Sequence, residues 1–210
     1  VGTGDNVLIG GFIISGTEEK TLVLRARGPS LSAADPTLQT LLQDPHISVF
    51  SGASLIDSND DWRQHENSTL LPPSLQPSEE KEAALLMQLK PGAYTVIVSG
   101  SSDELGLAIV EAFEVTDSGL TRFINISTRG LVGLSDNVLI GGLVISGERN
   151  KSVTIRARGP SLKIEAPELG QILSNPSLQL FDSQGTLIDS NDSWREHRNS
   201  GSVKPELIPN

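Results

Sequence analysis

Apolar and β-branched residues in this chain fall into short runs separated by Gly, Pro, Asp and Ser, and their spacing is that of strands. Thr21 to Arg27 alternates, with Leu22, Leu24 and Ala26 on one face and Thr21, Val23, Arg25 and Arg27 on the other. That period of two marks a half-buried strand, and Gly28-Pro29 ends it. Val7 to Ser15 is apolar but carries Gly10 and Gly11 in its middle, which suits a buried strand with a bulge or a close backbone approach. Ile47 to Phe50, Tyr94 to Ser99, Leu107 to Val115 and Leu120 to Thr128 are further strand-like runs, and Asp117-Ser118-Gly119 reads as a closing turn. Glu82 to Leu89 would pass for a helix alone, yet it runs into the Pro91-Gly92 turn. Asp35-Pro36 predicts a helical turn, with Asp35 as N-cap, Pro36 at the first position and Leu38, Leu41 and Leu42 on one side. Arg63 to Lys81, rich in Pro, Ser and charge, reads as a long surface connection. So many strands with so little helix predict an all-β fold built of antiparallel β-sandwiches.

The same pattern occurs twice. Aligning Gly4 to Leu31 with Ser135 to Leu162 gives 18 identities in 28 positions, and Leu55 to Ser68 matches Leu187 to Ser200 at 11 of 14. The chain is therefore a tandem repeat. The offset grows from 131 to 132 between Phe50/Phe181 and Leu55/Leu187, and a length change there reads as a surface hairpin tip. Two modules are expected, residues 1–118 and 119–210. The second matches the first only as far as Pro209, so it carries no counterpart of Glu79 through Thr116. A sandwich without those strands would expose apolar side chains and unpaired backbone groups. It belongs either to a longer array or to a head-to-tail filament in which a neighbouring copy adds a strand, with Val1 to Ser15 the only spare strand to donate. Homo-oligomerisation or polymerisation is thus the expected partnership.

Charge narrows the partners. Acids outnumber bases 26 to 16, a formal net charge of -10, with no basic patch, so no nucleic-acid partner is expected and cations suit the chain better. Cysteine is absent, which removes thiol catalysis, Cys-ligated zinc and disulfides. No apolar run reaches the ~18 to 20 residues of a membrane helix, so no membrane insertion is expected.

Three constellations are candidates for chemistry. Asp57-Ser58-Asn59-Asp60-Asp61 and Asp189-Ser190-Asn191-Asp192-Ser193 each gather oxygen ligands within five residues of loop, the requirement for a surface Ca²⁺ site. Asp57, Asn59, Asp60, Asp61, Asp189, Asn191 and Asp192 are the candidate ligands. The same residues form Asx-turns with no metal, and both readings stand. Ser193 in place of Asp61 would make the second site the weaker one. Trp62 and Trp194 fit a sugar-binding platform or, more simply, a plug for the end of the sandwich with the indole N–H on a carbonyl. Arg25 and Arg27, with their echoes Arg156 and Arg158, fit cross-strand pairing with carboxylates better than anion binding. The GxSxG, HExxH, GxxxxGK and GxGxxG signatures are all missing, and no enzyme is expected.

NISTRGLVGLSDNVLIGGLVISG, followed by IRARGPSL, LIDSNDSW and, in the first copy, LKPGAYTVIVSG with GLAIVEAFEV, resembles a repeat module of large surface and secreted proteins of bacteria, in particular those of Verrucomicrobia and related lineages. The PGxYT hairpin is similar, more distantly, to pre-peptidase C-terminal accessory domains. The resemblance implies a non-catalytic structural role at the cell surface or outside the cell. The alternative it implies is an accessory or adhesion module that binds a cell-surface glycan.

Overall fold

The computed structural model describes residues 1–115, 119–134 and 137–208. Thr116, Asp117, Ser118, Ser135, Asp136, Pro209 and Asn210 lie outside the described residues, and with them the expected module boundary at 118 and most of the turn at Asp117-Ser118-Gly119. The fold is all-β, with antiparallel sheets and only two four-residue helices among the described residues. The chain divides into two compact units, Val1–Gly141 and Gly142–Asn210.

The first unit is a sandwich of two open sheets. Its eight strands are β1 (Leu8–Gly16), β2 (Lys20–Arg27), β3 (Pro45–Ser51), β4 (Ser54–Asn59), β5 (Ala83–Leu89), β6 (Gly92–Gly100), β7 (Ile109–Glu114) and β8 (Thr121–Arg129). One sheet has the order β4-β3-β6-β1-β8 and the other β5-β2-β7. Phe12, Ile14, Leu22, Leu24, Ile47, Val49, Leu85, Val96 and Val98 from both sheets fill the core between them. At roughly 1.5 to 3 kcal/mol for each large apolar side chain buried, this core is the main favourable term holding the unit together.

Four local expectations are corrected by the packing. The run that would pass for a helix alone is a strand over Ala83–Leu89. Ala83, Leu85, Met87 and Leu89 face the main core while Ala84 and Leu86 face a second cluster, so its apolar run reflects burial on both faces. For the same reason β2 is buried on both faces and not half-buried. The residues that cover its outer face belong to the connection expected to be surface loop. Three short 3₁₀ turns, Trp62–Gln64, Ser68–Leu70 and Pro73–Leu75, bring Trp62, Leu71 and Leu75 onto Val23, Ala84 and Phe113. The helical turn, α1 (Leu31–Ala34), lies upstream of the Asp35-Pro36 signal. Asp35 ends it, and its carboxylate takes the Thr37 N–H and hydroxyl as an Asx-turn instead of capping a helix that follows. Leu42 is buried as expected, but from a segment outside any helix.

The Leu120 to Thr128 run, assigned from sequence to the head of the second module, is β8, and it pairs along β1 from Ile9↔Arg129 to Gly16↔Thr121. β1 is therefore an interior strand, flanked by β6 and β8. Its glycines mark a close approach and not a bulge. A Cβ on Gly11 would come within 2.7 Å of the Ser127 hydroxyl, whereas the register shift lies further along, at Ile13/Ile14.

The second unit contains α2 (Leu162–Glu165) and one hairpin, β9 (Leu178–Phe181) with β10 (Leu187–Asn191). This hairpin reproduces β3-β4, including the register shift before the loop, and the extra residue sits in the tip as expected. The repeats of β1 and β2, in contrast, form no strand over 137–158.

Candidate functional site

The polar residues kept in both repeats converge on two places in the first unit. One is the end of β4. Asp57 lies opposite Val49 in the ladder, and its Oδ1 accepts the Ser58 N–H at 2.8 Å and faces His65 Nε2 at 3.3 Å. His65 Nδ1 in turn accepts the Asn67 N–H at 3.3 Å, so Nε2 carries the ring proton and donates it to Asp57. The buried Asn59 accepts the Ala84 N–H through Oδ1 at 2.9 Å and donates Nδ2 to the Asp61 carbonyl at 3.0 Å, tying β4 to the other sheet. Asp60 accepts from the Ser101 hydroxyl and Asp61 from the Gln64 amide. Beside them Lys81 Nζ lies 2.7 Å from Asp44. That hydrogen bond raises the ammonium's pKa first, its charge attraction to Asp44 adds to the rise, and Asp61 and Asp60 add smaller ones.

The second repeat rebuilds the same loop. His197 Nε2 meets Asp189 at 3.1 Å, Asn199 N–H donates to His197 Nδ1 at 3.2 Å, and Asn191 donates to the Ser193 carbonyl at 3.1 Å. Arg198, which replaces Glu66, adds a bond to Asp189 at 3.2 Å. The Asp189 carboxyl is held below its ordinary pKa, chiefly by the hydrogen bond from His197. Asp192 is exposed. Among the described residues no three His, Asp or Glu side chains gather around a common point that would hold a metal ion. The proposed ligands do lie together on one loop in each repeat. In the first, each of their side chains already serves a protein hydrogen bond.

The second place is the outer face and end of the three-stranded sheet. Arg25 lies opposite Glu111 on β7 and binds it at 2.7 and 2.9 Å, donates to the Leu75 carbonyl at 3.0 Å, and stacks over Phe113 with its guanidinium carbon 4.7 Å from the ring centroid. Arg27 reaches Glu111 at 3.5 Å and Ser30 at 2.8 Å. Arg25 and Arg27 thus pair with carboxylates across the sheet, as their spacing implied, whereas Arg156 donates to the Leu207 carbonyl and Arg158 pairs with Glu165, both from outside any strand. Glu82, fully buried, was not foreseen. Its Oε1 accepts the N–H groups of Gly28 and Ser30 at 3.0 and 2.9 Å, and its Oε2 lies 4.0 Å from Arg27. Lys20, also buried, bonds to Glu114 at 3.2 Å. A signal for it existed, because Lys20 and Lys151 are the one identity between residues 17–24 and 148–155.

Trp62 is a plug, though on the outer face of the sheet and not at the end of the sandwich. It is 3 % exposed, with Arg63 stacked 4.4 Å from its ring centroid. Its indole N–H is buried without a hydrogen-bond partner, contrary to the expected carbonyl. So buried a ring offers no platform to a sugar. Among the described residues no helix is long and apolar enough to cross a membrane. Compared with protein-family models, curated proteins and solved structures, the chain matches none.

Proposed function

We propose that this chain is a non-catalytic structural protein of the cell exterior, a tandem β-sandwich whose modules are units of a larger surface array or filament joined by strand pairing. The observation that carries this reading is where the repeated polar residues are spent. Asp57, Asn59, His65, Arg25 and Arg27, all kept in both copies, are taken up by hydrogen bonds and ion pairs inside the fold. A polar residue kept for chemistry would be aimed at a cleft with bonding capacity to spare. Residues spent inward specify a module that must be built the same way each time.

Donation of Val1 to Ser15 to a neighbour does not fit this reading. β1 is the interior strand between β6 and β8, and the Val1 amino group is held by the Gly106 carbonyl at 2.6 Å. Strand pairing between modules must use other residues. Electron microscopy of the native material tests the proposal. Regular fibres or layers with the repeat of a sandwich module support it, and dispersed single particles at cell-surface concentrations overturn it.

A further inference from the structure

In the first unit, β1 pairs only with β6 and β8, and β2 only with β5 and β7. All four partners come from residues 79–131. β4 pairs with β3 alone, and β3 pairs both with β4 and with β6 of that same segment. The repeat therefore consists of a receptor half, residues 1–78, and a complement half, residues 79–131. Residues 132–210 hold a second receptor half by alignment. Within it the hairpin β9-β10 forms, and the counterparts of β1 and β2 do not. Side chains that the complement buries in the first unit are open in the second. Exposure rises from 5 % at Phe12 to 48 % at Leu143, from 2 % at Ile14 to 47 % at Ile145, from 0 % at Leu22 to 53 % at Val153, and from 0 % at Leu24 to 38 % at Ile155.

The polar fittings of this second receptor are already in place. Arg156 donates to the Leu207 carbonyl at 3.3 Å, as Arg25 does to Leu75, and Arg25 spends its remaining N–H groups on Glu111 of the complement. The turn at Gly159 has the geometry of the turn at Gly28. A Cβ on either glycine would come within 1.9 Å of a backbone carbonyl, Leu173 in one and Leu42 in the other. In the first unit that turn receives Glu82, again from the complement. Arg158 is meanwhile paired with Glu165 at 2.7 and 3.0 Å, a residue that stands where the first repeat has Ala34.

We infer that residues 137–208 are a receptor for one complement, a segment of the repeat corresponding to residues 79–131, which adds strands on both sides of 137–158 and delivers the two carboxylates equivalent to Glu82 and Glu111. Charge complementarity selects this occupant. Cations and a carboxylate-binding turn stand on the receptor, and the matching acids stand on the complement. Exchange among copies of residues 1–210 alone does not supply it, because that span holds two receptor halves for one complement. A complement moved to a second receptor opens the first. The inference rests on the structural-array reading and names the pairing that would join modules.

The probe is a peptide of residues 79–131 added to isotope-labelled chain 1–210, with hydrogen exchange read at 137–158 and at 8–27. Saturable one-to-one protection of 137–158, with 8–27 unchanged, is expected. Arg156→Ala in the chain, or Glu82→Gln with Glu111→Gln in the peptide, should weaken binding at least tenfold. Residue 210 aligns with Ser78, so joining residues 79–131 directly behind Asn210 restores the repeat register and serves where the free peptide aggregates. In that chain 137–158 should become as protected as 8–27. Unprotected 137–158 in both formats overturns the inference, and so does protection of 137–158 in chain 1–210 alone through self-association. Either failure leaves the microscopy test of the array untouched, so the two proposals fail separately.

Discussion

Single residues carry the clearest energetic consequences. Glu82 is a fully buried carboxylate whose partners are two backbone N–H groups and a nearby guanidinium. Glu82→Ala leaves those donors unsatisfied without solvent, and breaking a buried pair of this kind costs about 3 kcal/mol. Urea unfolding of the first unit should show that loss, and a change under 1 kcal/mol would mean the turn at Gly28 is held by other bonds. At Asp189 the folded carboxyl has a lowered pKa, with the His197 hydrogen bond as first cause. The native state thus takes up the proton less readily than the unfolded chain. The stabilisation is full above the ordinary carboxylate range and is lost as pH falls through the lowered value. His197→Ala should move the Asp189 midpoint upward in an NMR titration, and an unmoved midpoint would contradict the assigned cause. Cross-strand pairing of the arginines was legible because Arg25 and Arg27 alternate with apolar residues along one strand. Glu82 was not legible. A glutamate heading an apolar run carries no mark of the distant turn it enters.

Elements were legible where one face is polar and obscured where both faces are covered. β6 and the β3-β4 hairpin follow their alternation and turn residues, and the tip between Phe181 and Leu187 absorbs its extra residue without altering the ladder. One residue inserted between Gly52 and Ala53 should therefore change stability by less than ~0.5 kcal/mol in urea. β5 looked helical because Ala84 and Leu86 are as apolar as Leu85 and Met87, and only the packing of 62–75 over the sheet explains that. Leu71, 3 % exposed in that layer, decides between a surface connection and a structural one. Leu71→Ala should cost about 3 kcal/mol by cavity formation. A cost near zero would return the segment to the status of a loop. The Asp35-Pro36 signal misled because Asp35 has two uses of the same chemistry, and its Asx-turn with Thr37 won over a cap.

At the scale of the molecule, the repeat makes the chain its own control. Two segments with 18 identities in 28 positions form two strands in one unit and none over 137–158 in the other. Residues 79–131 flank β1 and β2 in the first unit, and no described strand pairs with 137–158 in the second. β-structure in this protein is a property of pairing and burial, with local propensity a minor contributor. The repeat was legible from alignment alone. The identity of β8 as a strand of the first unit was not, because its pairing with β1 spans more than a hundred residues. Native-state hydrogen exchange on the intact chain tests this account most directly, by comparing 8–27 with 137–158 under one set of conditions. Amides in β1 and β2 should exchange only by unfolding of the first unit, orders of magnitude more slowly than those of 137–158, which should exchange near the unstructured rate. Equal protection of the two segments would show that the sequence forms these strands without its complement, and would contradict the account.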